Sequence, residues 1–358
     1  MGFEIVRTQS PRPRPAQDAL GFGRHFSDHM FRMEYGPDPA KGWYAGRIVP
    51  YGPLTLEPAA SVLHYGQTIF EGLKAFRGAD GSIALFRPQM HAARFVQSAD
   101  RLCIPRIPEE LFVDACRELV ALDHEWVPGA DGASLYLRPL VLATEPFLGV
   151  RPSLAYTFLV ITSPVGAYYA SGFAPVRIKV ERQMVRAARG GVGASKTAAN
   201  YAASLAAAER AKAEGFAQVL WTDAAEHRYV EEVGTMNVFF QIGEEVITPE
   251  LDGVILPGVT RASVIELLRH RGVPVVERKL ALQEILEAHA DGRLREAFGS
   301  GTAAVVSPIS ALGVDGELLT VGNGGVGPLA GSLFEEIIAI QHGTAPDLFG
   351  WLVPVPSR

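Results

Sequence analysis

Strand-like and helix-like segments follow one another in this chain without strict alternation. A run over 68–87 indicates two strands joined by the turn GADG, and the chain then indicates one helix from Pro88 and another over 108–127. Two long β-rich runs, 133–144 and 154–165, follow without a helix between them. A doubly wound parallel sheet needs a helix after nearly every strand, so this order argues against one and predicts a mixed α+β fold.

The chain of 358 residues is predicted to divide into two domains. Residues 1–20 contain SPRPRP with little periodicity and indicate a mobile arm. Residues 21–165 are predicted to form a smaller α+β domain, and 179–358 a larger one. Residues 166–178, rich in Gly, Ala and Tyr, are the predicted interdomain loop.

Composition excludes several classes of protein. Hydrophobic residues make up 48% and charged residues 20% of the chain, which is typical of a folded globular protein. The formal charge is -6 and no run of Lys and Arg stands out, so nucleic-acid binding is not expected. The apolar stretches are too short to span a bilayer and the start lacks an apolar signal core, which predicts a cytoplasmic protein without membrane attachment. Cys103 and Cys116 form no CxxC pair, and no metal site is expected.

One lysine, Lys196, stands in unusual surroundings. Gly190, Gly191 and Gly193 precede it, and an Ala-rich helix is predicted over about 198–214. Glycines let the backbone pass close to a bulky group, and a lysine in a dry site with small neighbours can attack a carbonyl. From this stretch alone, an ordinary loop lysine on a glycine turn is an equally good interpretation.

Three glycine motifs are candidate phosphate sites. Residues 190–197 run G-x-x-x-x-S-K-T, but a nucleotide-hydrolysing loop needs glycine where Ser195 stands. The G-x-G-x-x-G at 322–327 lacks the strand and the acidic residue that a dinucleotide site requires. The third motif, LPGVTR, fits better, because the amides of Val259 and Thr260 would open a helix and face an anion. An ordinary capped helix is the alternative.

Seven stretches, taken in order, resemble one family. They are YGQTIFEGLKAFRG, LFRPQMHAARFVQSADRLCIP, SLYLRPLVLATEPFLGV, GGVGASKTAANY, EEVGTMNVFF, GVILPGVTR and FGSGTAAVVSP. Together they are similar to the branched-chain amino-acid aminotransferases, which are fold-type-IV pyridoxal-phosphate (PLP) enzymes, over about residues 22–343. The resemblance implies a two-domain, D-amino-acid-aminotransferase-like fold whose larger domain carries the PLP lysine.

The resemblance also implies which residues hold the cofactor. Lys196 would bind PLP as a Schiff base and carry the proton between Cα and C4′. Glu232 would pair with the pyridine nitrogen, and Tyr201 would hydrogen-bond the ring oxygen O3′. A carboxylate favours the protonated ring, and arginine with helix-start amides favours a phosphate dianion. The phosphate would be bound by Arg94 and by the amides of Val259 and Thr260.

On the substrate side, the resemblance implies an apolar pocket and two anion sites. Arg138, in YLRP, would hold the γ-carboxylate of glutamate; a strand arginine in an ion pair is the alternative. The amides of Gly301, Thr302 and Ala303 would face the α-carboxylate. The branched side chain would lie in a pocket lined by Phe26, Tyr65, Phe70, Tyr136, Tyr168 and Met236.

The activity implied by the resemblance is a ping-pong transfer of an amino group. L-leucine, L-isoleucine or L-valine would give it to 2-oxoglutarate, leaving a branched 2-oxo acid and L-glutamate. Two alternatives stay open: a D-amino-acid aminotransferase or aminodeoxychorismate lyase on the same fold, and a non-catalytic PLP-binding protein. The family forms homodimers, and the apolar turn at 148–150 would reach the neighbour's pocket. Animal relatives carry a CxxC where this chain has Ala304 and Ser307, so no thiol-based redox control is expected.

Overall fold

The computed structural model describes residues 2–166 and 173–357. Within these ranges helices and strands follow each other in a mixed order, which confirms the predicted α+β class. No helix of the described part is long and apolar enough to cross a membrane. The helices are α1 (Ser61–Tyr65), α2 (Pro88–Arg101), α3 (Glu109–Leu122), α4 (Ala198–Ala213), α5 (Val259–His270), α6 (Leu282–Ala290) and α7 (Pro328–Gln341).

The strands are numbered in chain order and belong to two sheets. They are β1 (Glu4–Ile5), β2 (His29–Tyr35), β3 (Trp43–Pro50), β4 (Thr68–Phe70), β5 (Leu73–Arg77), β6 (Ile83–Phe86), β7 (Ser134–Ala143), β8 (Tyr156–Val165), β9 (Val176–Val180), β10 (Gln218–Thr222), β11 (Val230–Val233), β12 (Met236–Ile242), β13 (Glu245–Thr248), β14 (Val275–Glu277), β15 (Leu294–Gly301), β16 (Val305–Val314), β17 (Glu317–Thr320) and β18 (Leu352–Pro354).

The first sheet has the strand order β1-β3-β2-β8-β7-β5-β6-β18, with β4 also paired to β7. Its neighbours are antiparallel except for β1 and β3. One face packs against α2 and α3, which bury apolar residues at helical spacing. At the centre of this core, the Phe95 ring lies 5.2 Å from that of Phe112 and 5.8 Å from that of Phe158. The side chains on the opposite face of β7 are therefore available for a functional site.

The second sheet has the strand order β11-β10-β9-β16-β15-β12-β13-β14, and β17 pairs with β16. An additional pairing between β11 and β12 closes six of these strands into a ring. Strand β9 pairs in parallel with β10 and with β16, so the order of the strands in this sheet does not follow their order along the chain. Helices α5 and α6 contact β15, and the core inside includes Val238, Phe240 and Ile309.

The chain divides into two units, and the division differs from the sequence-based boundaries. The first unit is Met1–Ala170, Ser195–Ala198 and Ile338–Arg358; the second is Ser171–Ala194 and Ala199–Ile337. Lys196 is thus grouped with the first unit, because its carbonyl accepts a hydrogen bond from the Phe70 amide at 3.0 Å. The C-terminal segment joins the same unit because β18 pairs with β6. Part of the predicted loop, residues 167–172, lies outside the described residues.

The first twenty residues, for which the prolines predict a mobile arm, make defined contacts with the rest of the first unit. Strand β1 pairs with β3, and the amide of Val6 donates to the Ile48 carbonyl at 2.9 Å. Arg12 donates its amide to Asp28 at 2.7 Å, and its guanidinium lies 4.4 Å from the centre of the Tyr51 ring. These contacts are set by residues whose partners lie far along the chain, which local composition does not reveal.

Candidate active site

Lys196 is held by its main chain against the first sheet. Its amide donates to Ser98 Oγ at 2.9 Å, and its carbonyl accepts from the Phe70 amide at 3.0 Å. The next residue, Thr197, donates its hydroxyl to the Thr68 carbonyl at 2.8 Å. The half-buried side chain places Nζ 5.2 Å from the centre of the Phe70 ring. The position of the amine is therefore fixed by β4 and α2 of its own unit.

Arg94 belongs to a buried ionic cluster with Glu71 and His91. Arg94 Nε donates to Glu71 Oε1 at 2.7 Å, and Arg94 Nη2 donates to Glu71 Oε2 at 2.8 Å. His91 Nδ1 lies 2.7 Å from Glu71 Oε2, and all three side chains are at least nine-tenths buried. This two-pronged contact fixes the plane of the guanidinium.

The charges in this cluster follow from its contacts. Burial alone would raise the pKa of Glu71, but Arg94 and His91 outweigh it and hold that pKa well below its usual value. Burial lowers the pKa of His91, and the positive charges of Arg94 and Lys196 lower it further, although Glu71 opposes them. Glu71 is thus ionised and His91 neutral at pH 7, with the His91 Nδ1–H donated to the carboxylate.

Arg138 lies on an aromatic floor formed by the sheet of the first unit. Its Nη2 donates to the Tyr136 hydroxyl at 3.0 Å, and its guanidinium lies 4.7 Å from the centre of the Phe70 ring. Arg138 Nε is buried and has no hydrogen-bond partner. A Cβ on Gly72 would lie 1.9 Å from the Tyr136 hydroxyl, so a glycine is required there. This region offers an apolar surface and a cation side by side.

Lys74 belongs to the same face of the sheet. It pairs in register with Tyr136, and its side chain is buried. Burial lowers the pKa of Lys74 to about 8. A second basic side chain therefore lies close to the aromatic floor.

Phe26 and Tyr65, two more of the predicted aromatic residues, contact other residues of the first unit. Phe26 stacks on Tyr51 with ring centres 5.1 Å apart. Tyr65 is 46% exposed and donates its hydroxyl to the Leu148 carbonyl. Both contacts lie within the first unit, and they leave the predicted substrate roles of these two residues as predictions. Tyr168 lies outside the described residues.

Glu232 is a buried carboxylate on β11 of the second unit. It is 3% exposed, and its Oε1 accepts the Leu256 amide at 2.7 Å. Its Oε2 lies 3.4 Å from Arg186 Nε. Arg186, itself 8% exposed, donates to the carbonyls of Val254 at 2.6 Å and Gly193 at 3.4 Å. Arg186 thus ties the carboxylate to the glycine loop and to the segment that leads into α5.

The start of α5 is the candidate phosphate site. Gly258 caps the helix, and a Cβ there would lie 2.0 Å from Asn237 Oδ1. Asn237 Nδ2 in turn donates to the Leu256 carbonyl at 2.9 Å. Val259 and Thr260 form the first turn, where amides have no acceptor within the helix and the helix dipole favours an anion.

Four further predicted residues lie at the ends of elements of the second unit. Thr302 and Ala303 form the connection between β15 and β16 and are partly exposed. Met236 opens β12, and Cβ atoms on Gly299 or Gly301 would approach it within 2.8 Å and 3.1 Å. The two glycines of β15 therefore make room for the methionine. Tyr201 lies in the first turn of α4, partly buried.

Three residues that shape these sites were not predicted from the sequence. Glu71, His91 and Arg186 are all buried and ionisable. The sequence of α2 does contain an indication of this cluster, because His91 and Arg94 are three residues apart on the helix face that also buries Phe95. A polar pair on an apolar helix face needs a buried partner, which Glu71 supplies. Arg186 has no such local signal.

Comparison with known proteins identifies similar chains. The family model described as amino-transferase class IV matches residues 68–312. Branched-chain-amino-acid aminotransferase 2 of Bacillus subtilis (strain 168) is 53% identical over 354 residues, which cover 99% of this chain and 96% of that protein. The branched-chain-amino-acid aminotransferase of Mycolicibacterium smegmatis is 48% identical over 359 residues, covering 96% and 97% of the two chains.

A solved structure extends the comparison to the fold. It is the branched-chain aminotransferase from the thermophilic archaeon Thermoproteus uzoniensis, solved with norvaline. It matches with a TM-score of 0.75 at 26% identity, covering 92% of this chain and 100% of the other.

Proposed function

This chain belongs to the class IV amino-transferase family, and from that premise we propose that it is a branched-chain amino-acid aminotransferase. It transfers the amino group of L-leucine, L-isoleucine or L-valine to 2-oxoglutarate, reversibly, by a ping-pong scheme. Relatives that carry this name are 48% and 53% identical over nearly the whole chain. The observation that carries the proposal is Arg138 lying over the Phe70 ring, because one surface then accepts an aliphatic side chain and a second carboxylate.

The side chains present fit PLP as a cofactor. When bound, PLP supplies an electron sink for the charge that develops at the substrate Cα. Lys196 provides a half-buried amine for the covalent link, Glu232 a buried carboxylate for the ring nitrogen, and Tyr201 a hydroxyl for O3′. The fit rests on Gly258, where any side chain would collide with Asn237 at the helix start that is to receive the phosphate. Arg94, with the amides of Val259 and Thr260, holds that phosphate.

The proposed roles of the other side chains follow from their chemistry. Lys196 Nζ would carry the proton from the substrate Cα to C4′ of the cofactor, and back to Cα in the reverse half-reaction. Glu71 orients Arg94, and Arg186 orients Glu232. The amides of Thr302 and Ala303 receive the α-carboxylate, and Phe26, Tyr65, Tyr136, Tyr168 and Met236 line the side-chain pocket with Phe70.

We also propose a homodimer in the cytoplasm. The turn at 148–150 supports the dimer, since Leu148 is 60% and Val150 85% exposed, and exposed apolar side chains in one turn favour burial by a second copy. Sedimentation velocity of the purified protein would measure the mass directly. A monomer at micromolar concentration would contradict this part of the proposal.

The decisive variant is Lys196→Ala. We expect turnover of L-leucine with 2-oxoglutarate to fall by at least about 10⁴-fold, since nucleophile and proton carrier are lost together. Lys212→Ala, on the exposed part of α4, is the matched control and should keep full activity. Borohydride reduction followed by peptide mapping should place the cofactor on the peptide that contains Lys196. Normal turnover of L-leucine by Lys196→Ala would overturn the assignment. So would a wild-type protein that turns over D-alanine and not L-leucine.

A second variant, Arg138→Met, tests the choice of substrates. We expect the KM for 2-oxoglutarate to rise about tenfold to a hundredfold, because a charged hydrogen-bond donor to the γ-carboxylate is lost. The KM for L-leucine should change less than about threefold, since methionine preserves an apolar surface. Steady-state kinetics with each substrate varied in turn separates the two. Equal changes for both substrates would remove Arg138 from this role.

A further inference from the structure

The second unit contains a cavity of about 410 Å³, here called the acidic cavity. Five carboxylates and two basic side chains line it, together with several apolar residues. Its size lies at the lower end of the range of about 300–1,000 Å³ that small-molecule sites occupy. The lining residues are Ala188, Arg189, Asp223, Ala224, Ala225, Glu226, Tyr229, Val230, Glu231, Pro249, Glu250, Asp252, Val254, Ile255 and Lys279.

Glu231 is the unusual residue of the acidic cavity. Its side chain is more than nine-tenths buried, and its Oε2 has no hydrogen-bond partner. Other carboxylates of the wall are satisfied locally. Asp223 accepts the amides of Arg228 and Tyr229, each at 2.7 Å, and Asp252 accepts the amide of Val254 at 3.2 Å. A buried carboxylate oxygen without a donor is costly, so Glu231 in its ionised form favours a partner from outside the chain.

The charges around Glu231 indicate the sign of that partner. The pKa of Glu231 is raised to about 7, mainly by burial and also by the negative charges of Glu232, Asp252 and Asp223, while Arg186 opposes them. The two basic residues of the wall contact other members of the lining and not Glu231, since Arg189 lies 3.4 Å from Asp252 and Lys279 lies over the Tyr229 ring at 5.3 Å. A cation that donates an N–H would therefore compensate both the charge and the missing hydrogen bond.

The side chains that line the acidic cavity indicate whether the cation is a metal ion or an organic ammonium ion. In the described ranges, no group of three or more His, Cys, Asp and Glu side chains is arranged to hold a metal ion. Ala224, Val254 and Ile255 are apolar members of the same lining. We propose that the acidic cavity is a binding site for a small aliphatic ammonium ion, whose N–H is donated to Glu231 and whose carbon chain lies on this apolar wall.

The test uses a tertiary ammonium, N,N-dimethylbutylammonium, on the holoenzyme. This probe keeps one N–H donor but cannot form an imine with an aldehyde, so the aminotransferase site does not consume it. Isothermal titration calorimetry at pH 8 should give a dissociation constant in the millimolar range or tighter. Glu231→Gln should weaken binding at least about tenfold, because the charge-assisted hydrogen bond is lost.

Glu250→Gln is the matched control, since it removes the same charge from the exposed rim of the acidic cavity. It should weaken binding less than about threefold, because an exposed charge is screened. Wild-type binding should be about tenfold tighter at pH 8 than at pH 6, as Glu231 ionises over this interval. Absence of heat with wild type up to about 50 mM probe, equal losses in the two variants, or binding that does not change with pH would each overturn the proposal.

Discussion

Glu71 in the first unit and Glu231 in the second are both buried glutamates, yet their environments act in opposite directions. Glu71 receives donors from Arg94 and His91, and these hold its pKa well below the usual value. Glu231 has an oxygen without a donor, and its pKa rises to about 7. Burial is common to both, so the supply of hydrogen-bond donors decides the outcome.

This contrast separates two uses of a buried charge. The Glu71 carboxylate is committed to internal partners, and removing it would strand Arg94 in the core. The Glu231 carboxylate is uncommitted, and its cost is removed only by protonation or by a ligand. A buried charge with hydrogen-bond partners thus fixes the position of the side chains around it, whereas a buried charge without them indicates a ligand-binding site.

The largest expected effect is at Glu71. Glu71→Gln should lower the free energy of unfolding by about 3–5 kcal/mol, because breaking a buried ion pair leaves an uncompensated guanidinium. Urea denaturation followed by circular dichroism measures this. The double variant that adds Arg94→Met should be less destabilised than the single one, since both charges are gone. If the double variant loses at least as much stability as the two single variants added together, the ion pair between Glu71 and Arg94 is contradicted.

The pH dependence of the same site has a definite sign. The pKa of Glu71 is lower in the folded protein than its ordinary value of 4.5, so the folded state binds fewer protons there. Its stabilising contribution is present above about pH 4.5 and is lost as pH falls through the folded pKa. Wild type should therefore lose stability more steeply than Glu71→Gln below about pH 4.5. If the free energy of unfolding falls equally with pH in wild type and Glu71→Gln, ionisation of Glu71 does not contribute to acid sensitivity.

An intermediate effect of opposite sign is expected at Glu231. Its folded pKa of about 7 exceeds the ordinary 4.5, so its ionisation destabilises the protein as pH rises from 4.5 to about 7. Glu231→Gln should stabilise the protein by about 1–3 kcal/mol at pH 8 and by less at pH 5.5. Thermal unfolding at both pH values checks this. A variant that is less stable than wild type at pH 8 would show that the carboxylate is satisfied.

The smallest effect is expected at a carboxylate near the surface. Glu145 is bound by Arg151 at 2.8 Å, and this contact lowers the pKa of Glu145 despite the opposing effect of burial. Because Arg151 is 38% exposed, Glu145→Gln should cost only about 0.2–1 kcal/mol. Urea denaturation under the conditions used for Glu71 allows direct comparison. A loss as large as that at Glu71 would mean that burial does not govern these energies.

Much of the fold could be predicted from periodicity. The helices predicted from Pro88, over 108–127 and over about 198–214 correspond to α2, α3 and α4. Strand β2 was missed, because its residues are buried or half-buried throughout and show no strict alternation. Helix α6 was also missed. Pairings such as β18 with β6 depend on residues far apart in sequence, which explains why the unit boundaries differed.

The candidate site was predictable only as a set of residue types. The motif around Lys196 and the resemblance suggested the amine, the carboxylate at Glu232 and the arginine at Arg94. Their supporting partners could not be inferred, because Arg186 meets Glu232 through a separation of 46 residues and no local pattern records it. The cofactor and substrate roles of the individual residues remain predictions that the variants above can test.

The discontinuous make-up of the units has a consequence for biosynthesis. The first unit draws on three separate stretches, the last of which is Ile338–Arg358, and β18 belongs to this stretch. On the ribosome, the first unit therefore waits for synthesis of Ile338–Arg358, whereas most multidomain chains complete their domains in order from the N-terminus. A stop codon placed before Leu352 would leave the earliest-made sheet without the edge strand β18.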